Sequence, residues 1–375
     1  MIKFTSLFAN AGIGTFLAKE VGCECSVANE SLLGRQQLHQ NLHGKDCRVV
    51  FGDINDDKVF NEVVRLHKER GCVGVMQTAP CQSFSLAGGQ HLDDEEALLF
   101  KRGLQFIKET EPEWIFFENV PYFISDDQLN KPEIIDKLDG KTVKQYIYDF
   151  LESLNLGYIG NHGILDASYF GNPQGRERAI LLFRKGKKWE FPKPDEKRMT
   201  VRDAMWNRFM QLEPKGLGTW RDPENRFHFA AYVELNQAEC LRRTPTGKSA
   251  LQNPEPWKIK TTKGNDSQAQ HENSAYCRIK WDSPCPTIRQ SSDNLGDDRT
   301  IHPGYELGKD ENGIQLYSDP RPLSLAEIFV LTGLPQSFND AIPDWAVADE
   351  ELLRQVIGEA LMPQLANRIL AMLEK

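Results

Sequence analysis

The segment TAPCQSFSLAG, residues 78–88, carries an apolar run into a proline, a cysteine and a glutamine, and Cys81 is its residue with chemistry to offer. A thiol placed there could be a small buried hydrophobe, a metal ligand, half of a disulfide or a nucleophile. Metal chemistry at Cys81 lacks partners. The eight cysteines, at 23, 25, 47, 72, 81, 240, 277 and 285, do not follow zinc-ligand spacing, and the Cys23-x-Cys25 pair reads as alternate faces of a strand. Glu118, in WIFFENVP, follows four apolar residues, and a polar pair ending a buried strand lines a cleft more often than it faces open solvent. Three further features suit a ligand. The turn FANAGIG lets backbone N–H groups approach closely at a helix start. Glu30 lies about twenty residues further on, where a carboxylate can accept both ribose hydroxyls. Asp53, in FGDIN, is placed to accept from an adenine amino group. No Lys or Arg stands in the first turn, so a nucleoside with a neutral or cationic tail fits better than a phosphate-bearing ligand; a dinucleotide stays open at this point.

These groups need a scaffold that brings them to one edge. Residues 1–184 supply it as short apolar strands alternating with helical periodicity, which predicts a doubly wound, mostly parallel α/β sheet. The strands are expected at Lys3 to Phe8, Glu24 to Ala28, Arg48 to Phe51, Val73 to Gln77, Trp114 to Phe117, Gly157 to Gly163 and Ala179 to Phe183. Helices are expected over Asp57 to Arg70, Ala97 to Glu109 and, at the end of the chain, Val356 to Leu373. The carboxyl edge of such a sheet binds ligands, so glycine turn, Glu30, Asp53, Cys81 and Glu118 fall in a row along it. Residues 185–290 lose this periodicity, are rich in turn residues and Trp, and are expected to form a smaller irregular domain; residues 291–375 return to the first.

The chain of 375 residues is 40% hydrophobic, enough for a sizeable core. Its start has no basic segment leading into an apolar core, and no stretch approaches about 18 consecutive apolar residues, so neither export nor a membrane span is expected. The cysteines then read as reduced cytoplasmic thiols. A net charge of −9 argues by itself against a nucleic-acid partner, yet residues 184–289 hold 21 Lys and Arg against 13 Asp and Glu. A basic module on an acidic core is the electrostatic pattern of a nucleic-acid binder.

The motifs in their order resemble the DNA (cytosine-5)-methyltransferases. FANAGIG is similar to the family's first motif, Glu30 and Asp53 to the second and third, TAPCQSFSLAG to its Pro-Cys-Gln loop and FENV to its Glu-Asn-Val motif. GNPQGRERAILL, with Gln174, Arg176 and Arg178, is similar to the Q-x-R-x-R strand, RPLSLAEIFVLTGLP to the ninth motif, and IGEALMPQLANRI to the tenth. The likeness runs nearly end to end and omits the irregular region. The chain departs from the pattern at Asn10, at Gly358-Glu359, at Met362-Pro363 and at Ala326. These positions bear on cofactor affinity rather than on the reacting groups.

The resemblance implies a Rossmann-like fold and S-adenosyl-L-methionine as methyl donor, leaving as S-adenosyl-L-homocysteine, with no metal. It implies contacts to the donor from Phe8, Ala9, Asn10, Gly12, Ile13, Gly14, Glu30, Asp53, Ile54, Pro80, Glu359 and Ala360. Cys81 is the implied nucleophile at cytosine C6, Glu118 the group at N3, Arg176 the group at O2 and Arg178 a brace. The base must leave the duplex; Gln82 would fill the gap, and Ser83 and Ser85 would close over the nucleotide. The irregular domain becomes a target-recognition domain, with Gln174, Arg221, Arg226, Arg242, Arg243 and Lys248 as DNA contacts. The implied partner is double-stranded DNA, bound by a monomer in a bacterial cytoplasm or phage-infected host. A restriction endonuclease would be the functional counterpart. Two alternatives are a tRNA/RNA cytosine-5 methyltransferase, whose Cys-Phe-Thr signature is absent after Val120, and a catalytically silent DNA binder, against which Cys81, Glu118 and Arg176 stand.

Overall fold

The structure, a computed structural model, describes residues 1–80, 98–130, 135–259, 275–296 and 300–374. Cys81, Gln82, Ser83 and Ser85 lie outside the described residues.

The chain divides into two compact units. The first comprises Met1–Phe170, Arg176–Pro194 and Ala360–Lys375. Its sheet holds β1 (Ile2–Leu7), β2 (Cys23–Glu30), β3 (Arg48–Phe51), β4 (Gly74–Gln77), β5 (Trp114–Asn119), β6 (Tyr158–Asp166) and β7 (Glu177–Lys185), in the order β3-β2-β1-β4-β5-β7-β6. The five strands from β3 to β5 pair in parallel, and β7 runs antiparallel to both β5 and β6. All seven expected strands are present within three residues of their expected ends. The antiparallel β7 carries a consequence for the site. Its first residues lie at the edge where β5 finishes, with Asn119 opposite Ala179.

Strand alternation sorts the core into two layers. Ile115 and Phe117 pack on one face with Val63, Phe100, Leu104 and Ile107. These residues come from α2 (Asp57–Glu69) and α3 (Leu99–Thr110), which bury one helical face each. Trp114 and Phe116 pack on the other face with Trp189, Leu365 and Ile369. Each such fully buried aromatic contributes about 1.5–3 kcal/mol. At Gly74 a Cβ would stand 1.9 Å from the Trp114 ring, so only glycine lets β4 lie against that indole.

Two helical expectations change form. After the first turn the chain makes two short 3-10 segments, Ile13–Thr15 and Ala18–Val21, closed at Gly22 with φ 75°. The C-terminal helix expected from 356 to 373 is divided, with one helix ending at Glu359 and the next running Pro363–Leu370. Pro363 takes the first helical position and Met362 before it is extended, because proline cannot continue a preceding helix.

The second unit, Gly171–Gly175 with Asp195–Glu359, is irregular as its composition indicates: its described residues form short helices and a small hairpin, Glu306–Lys309 with Gln315–Tyr317. Residues 291–359, assigned from periodicity to the sheet domain, fold within this unit. Helix Leu325–Leu331 packs Phe329 on Phe227 and bonds Ala326 N–H to Phe227 O, long-range contacts that periodicity does not record. No helix among the described residues is long and apolar enough to cross a membrane.

Candidate active site

Five parallel strands deliver their carboxyl ends to one edge of the first unit, and the sheet order places Asp53, Glu30, the 8–14 turn, Pro80 and Glu118 along it in that sequence. The turn after β1 is built from left-handed residues: Phe8 at φ 57°, Asn10 at 49° and Gly12 at 74°. Asparagine tolerates this region better than most residues, so Asn10 keeps the turn where the related motif has glycine. Gly12 has no substitute. A Cβ there would lie 2.5 Å from His43 Nε2 and 2.7 Å from His39 Nε2, beneath an already strained φ. Ala9 N–H donates to Asn29 O, fastening the turn to β2, while Ile13 is buried and Gly14 sits against Leu361.

Glu30 is buried, and its two oxygens accept N–H groups from Asn10 (2.9 Å) and Leu32 (2.8 Å). Burial raises its pKa, opposed by those backbone donors and Arg35. A carboxylate offers about four acceptor positions, which leaves capacity for a diol. Asp53 is exposed and accepts from Asn55 N–H (2.9 Å), while neighbouring Ile54 is buried. Glu359 and Ala360 fall on either side of the boundary between the two units, and Glu359 accepts from Gln290 Nε2 (2.6 Å).

Glu118 is only 7% exposed. Arg178 Nε lies 2.8 Å from its Oε1, a contact made possible because antiparallel β7 starts at the edge where β5 ends. Burial pushes the Glu118 carboxyl above the usual carboxylate range, against the opposing charges of Arg178 and Arg176. Arg176 is buried, with its backbone N–H donating to Asp166 (3.1 Å). The edge thus gathers Glu118, Arg176 and Arg178 around one desolvated acid.

Two positioning residues escaped the sequence reading. Asn119, 2% exposed, donates from Nδ2 to Ala79 O (3.1 Å), and Thr78 Oγ1 donates to Phe8 O (3.0 Å). Together they tie the chain leading into Pro80 and Cys81 to the glutamate strand on one side and to the first turn on the other. The legible signal was the Glu-Asn pair itself, since a buried asparagine side chain demands partners.

The profile of the family described as C-5 cytosine-specific DNA methylase matches residues 2–375. The chain belongs to that family. This methylase is 33% identical over 372 residues to the Type II methyltransferase M1.HgaI of Avibacterium volantium, covering 97% of the chain and 96% of the relative. It is 29% identical over 209 residues, 54% of the chain and 57% of the relative, to the Type II methyltransferase M.HhaI of Haemophilus parahaemolyticus. In fold it is similar to the Entamoeba histolytica methyltransferase EhMeth, with a TM-score of 0.59 at 12% identity over 100% of this chain and 98% of that one. The methylase is a DNA (cytosine-5-)-methyltransferase with a Rossmann-like sheet.

In the second unit of the methylase, the expected DNA-contact residues separate into two groups. Arg226 pairs with Asp344 (2.9 Å) and donates to Asn339 O and Ile342 O; Arg242 grips Glu213 with both terminal nitrogens; Arg243 pairs with Glu239 and Asp310 and lies over Trp257. Those three guanidinium groups are engaged in holding the unit together. Gln174 is buried, its Oε1 accepting from Ile288 N–H (3.2 Å). Arg221 and Lys248 are exposed and pair with no carboxylate among the described residues. Arg221 lies against the rings of Trp220 and Phe229.

Proposed function

We propose that this methylase transfers a methyl group from S-adenosyl-L-methionine to C5 of a cytosine flipped out of double-stranded DNA, through a covalent bond between Cys81 Sγ and cytosine C6. The observation that carries this reading is the buried Glu118 against Arg178, with Asn119 holding the backbone two residues before Cys81.

The residues at the sheet edge fit a sulfonium nucleoside. The left-handed turn at Phe8, Asn10 and Gly12 presents backbone rather than cationic side chains, Glu30 retains acceptor capacity for ribose hydroxyls, and Asp53 stands exposed beyond β3. Ala9, Ile13, Gly14, Ile54, Pro80, Glu359 and Ala360 are assigned to the same donor site from the family motifs. When bound, the donor supplies an electrophilic methyl group on sulfur.

The chain's own groups then do the rest. Cytosine C5 is a weak nucleophile, and addition of the Cys81 thiolate at C6 moves electron density to C5 and N3. A carboxyl raised by burial stays protonated at higher pH than a free glutamate, which suits Glu118 to hold or protonate N3 as the adduct forms. Arg176 faces O2, and Arg178 fixes the Glu118 carboxyl. After C5 accepts the methyl group, its proton passes to a base such as water, the C5–H electron pair forms the C5=C6 bond, the C6–S bond breaks with its pair leaving on Cys81 Sγ, and N3 returns its proton to Glu118, restoring an aromatic 5-methylcytosine. Gln82, Ser83 and Ser85 are assigned to the space the base vacates and to closure over it.

The second unit acts as the target-recognition lobe in this reading, with Arg221 and Lys248 among its exposed cations. Phosphate contacts from such side chains position the duplex. The full-length likeness to a Type II methyltransferase favours the modification arm of a restriction system, working as a monomer on DNA in the cytoplasm, with the endonuclease a functional counterpart. Expression in a host free of cytosine methylation, followed by bisulfite sequencing, tests activity and target together. Recurrent 5-methylcytosine at one sequence is expected; methylation of N4, or none, would overturn the assignment.

A further inference from the structure

Beneath the first turn lies a cluster that methyl transfer does not use. α1 (Leu33–His43) carries His39 and His43 one turn apart, a spacing that puts both imidazoles on one helical face. Cys25, on β2, and Cys47, directly before the neighbouring β3, bring two thiols to the same place. Cys25, His39 and Cys47 are all buried, and their ligand atoms lie within 4.8 Å of one another. Cys25 Sγ is 3.9 Å from Cys47 Sγ, and Cys47 Sγ is 3.7 Å from His39 Nε2.

We propose that Cys25, Cys47, His39 and His43 form a site for a thiophilic divalent cation of the zinc class. Tetrahedral zinc with its usual bonds to sulfur and nitrogen sets ligand edges of about 3.8 Å between sulfurs and about 3.6 Å between sulfur and nitrogen. The two closest distances in the cluster already match these edges. The tautomer matches as well. His39 Nδ1 is 3.2 Å from Asn10 O, and since a carbonyl only accepts, Nδ1 carries the proton and Nε2 presents its lone pair toward Cys47. A ligating histidine whose other nitrogen bonds a backbone carbonyl is the usual outer arrangement at metal sites. His43 stacks beside His39 at 4.6 Å between ring centroids, with Nε2 at 2.9 Å from Gly12 O, and completes the set by turning its ring from that carbonyl. Two thiolates and two neutral imidazoles balance one divalent charge, so the buried site carries no net charge. Sequence spacing concealed it: Cys25 and Cys47 are 22 residues apart and meet only through strand pairing.

The site joins β2, β3 and α1, and reaches the carbonyl of Asn10 in the first turn through His39 Nδ1. Occupancy therefore stiffens the turn assigned to the methyl donor, and is measurable without any methylation assay. The full chain, purified with its thiols reduced and stripped with a chelator, is titrated with Zn2+ and separately with Co2+. One bound equivalent, sulfur-to-cobalt charge-transfer absorbance and a Tm that rises with added metal are expected. The Cys25→Ser/Cys47→Ser double variant should lose the absorbance, Cys240→Ser in the second unit should keep it, and His43→Gln should weaken binding by about 10- to 100-fold while keeping sulfur ligation. Absence of bound metal in folded, reduced wild-type chain would overturn the proposal, and so would a Cys25–Cys47 disulfide in the protein as isolated, or cobalt–sulfur absorbance that survives the double substitution. The wild-type titration decides by itself if the double variant does not fold.

Discussion

Each unit buries a carboxylate against an arginine, and the two carboxylates behave oppositely. In the second unit Glu327 accepts Arg321 through both oxygens (2.8 and 2.9 Å) and also takes Ser324 N–H (2.8 Å). Asp319 shares the same guanidinium (2.6 Å) and accepts from Leu212 N–H and Ser318 Oγ. Burial opposes ionisation at both, yet Arg321 and these donors outweigh it, holding Glu327 down at about 2 and Asp319 well below its ordinary range. At the sheet edge of the first unit, Glu118 Oε1 pairs with Arg178, and burial outweighs that arginine and Arg176. The difference is hydrogen-bond saturation. A carboxylate whose lone pairs are filled by fixed donors is held in its charged form and serves the fold; one for which burial outweighs its partners holds its proton to a higher pH than a free carboxyl.

That contrast can be broken by exchanging amide for acid at each position. Glu118→Gln is expected to lower the methylation rate by about 10²- to 10⁴-fold, since the amide cannot deliver a proton to N3, while donor binding measured by calorimetry is retained. A variant with near-normal turnover would remove Glu118 from the chemistry. Glu327→Gln is expected to cost about 1.5–3 kcal/mol of stability by removing the charged acceptor of two Arg321 hydrogen bonds while Asp319 stays as that guanidinium's carboxylate partner, read as a lower midpoint in denaturant. Little loss there would mean the network is not what locks the second unit.

Among the surface arginines the expected effects are smaller. Arg221→Ala should weaken DNA binding and reduce the slope of log affinity against log salt by about 1. Arg242→Ala should leave that slope unchanged and cost about 1 kcal/mol or less of stability through its pair with Glu213. Equal salt slopes for the two variants would erase the distinction between free and engaged cations. The pH dependences are the gentlest test. Burial holds His302 neutral down to about 4, against an ordinary 6.5, and Glu327 stays ionised to about 2, against an ordinary 4.5. At these two groups the unfolded chain binds more protons than the folded one as pH falls from 6.5, and their contribution to stability declines on that acid side. Glu118 is shifted the other way: its active protonated form is lost as pH rises through its raised pKa, giving an alkaline decline in rate that Glu118→Gln lacks.

The sheet was legible because strands such as β5 and β7 carry apolar runs, WIFF and AILLF, and WIFFEN ends where its burial ends. That Glu30, Asp53, Pro80 and Glu118 share the carboxyl edge of the sheet followed from strand ends alone. The direction of β7 was not legible, since a buried strand reads the same either way, yet that direction brings Arg178 to Glu118. Gln174 and Arg176 sit two residues apart in sequence and fall in different units. Arg226, Arg242 and Arg243 look like Arg221 in sequence; only the fold reveals carboxylates opposite the first three.

Covalent catalysis by Cys81 is tested most directly by expressing wild-type chain, Cys81→Ala and Cys81→Ser in a host without cytosine methylation and measuring 5-methylcytosine in hydrolysed genomic DNA by mass spectrometry. Wild-type DNA should contain the modified base and DNA from both variants should contain none, with each variant still folded and binding S-adenosyl-L-methionine. Persistent 5-methylcytosine with the alanine variant would contradict the thiol's role.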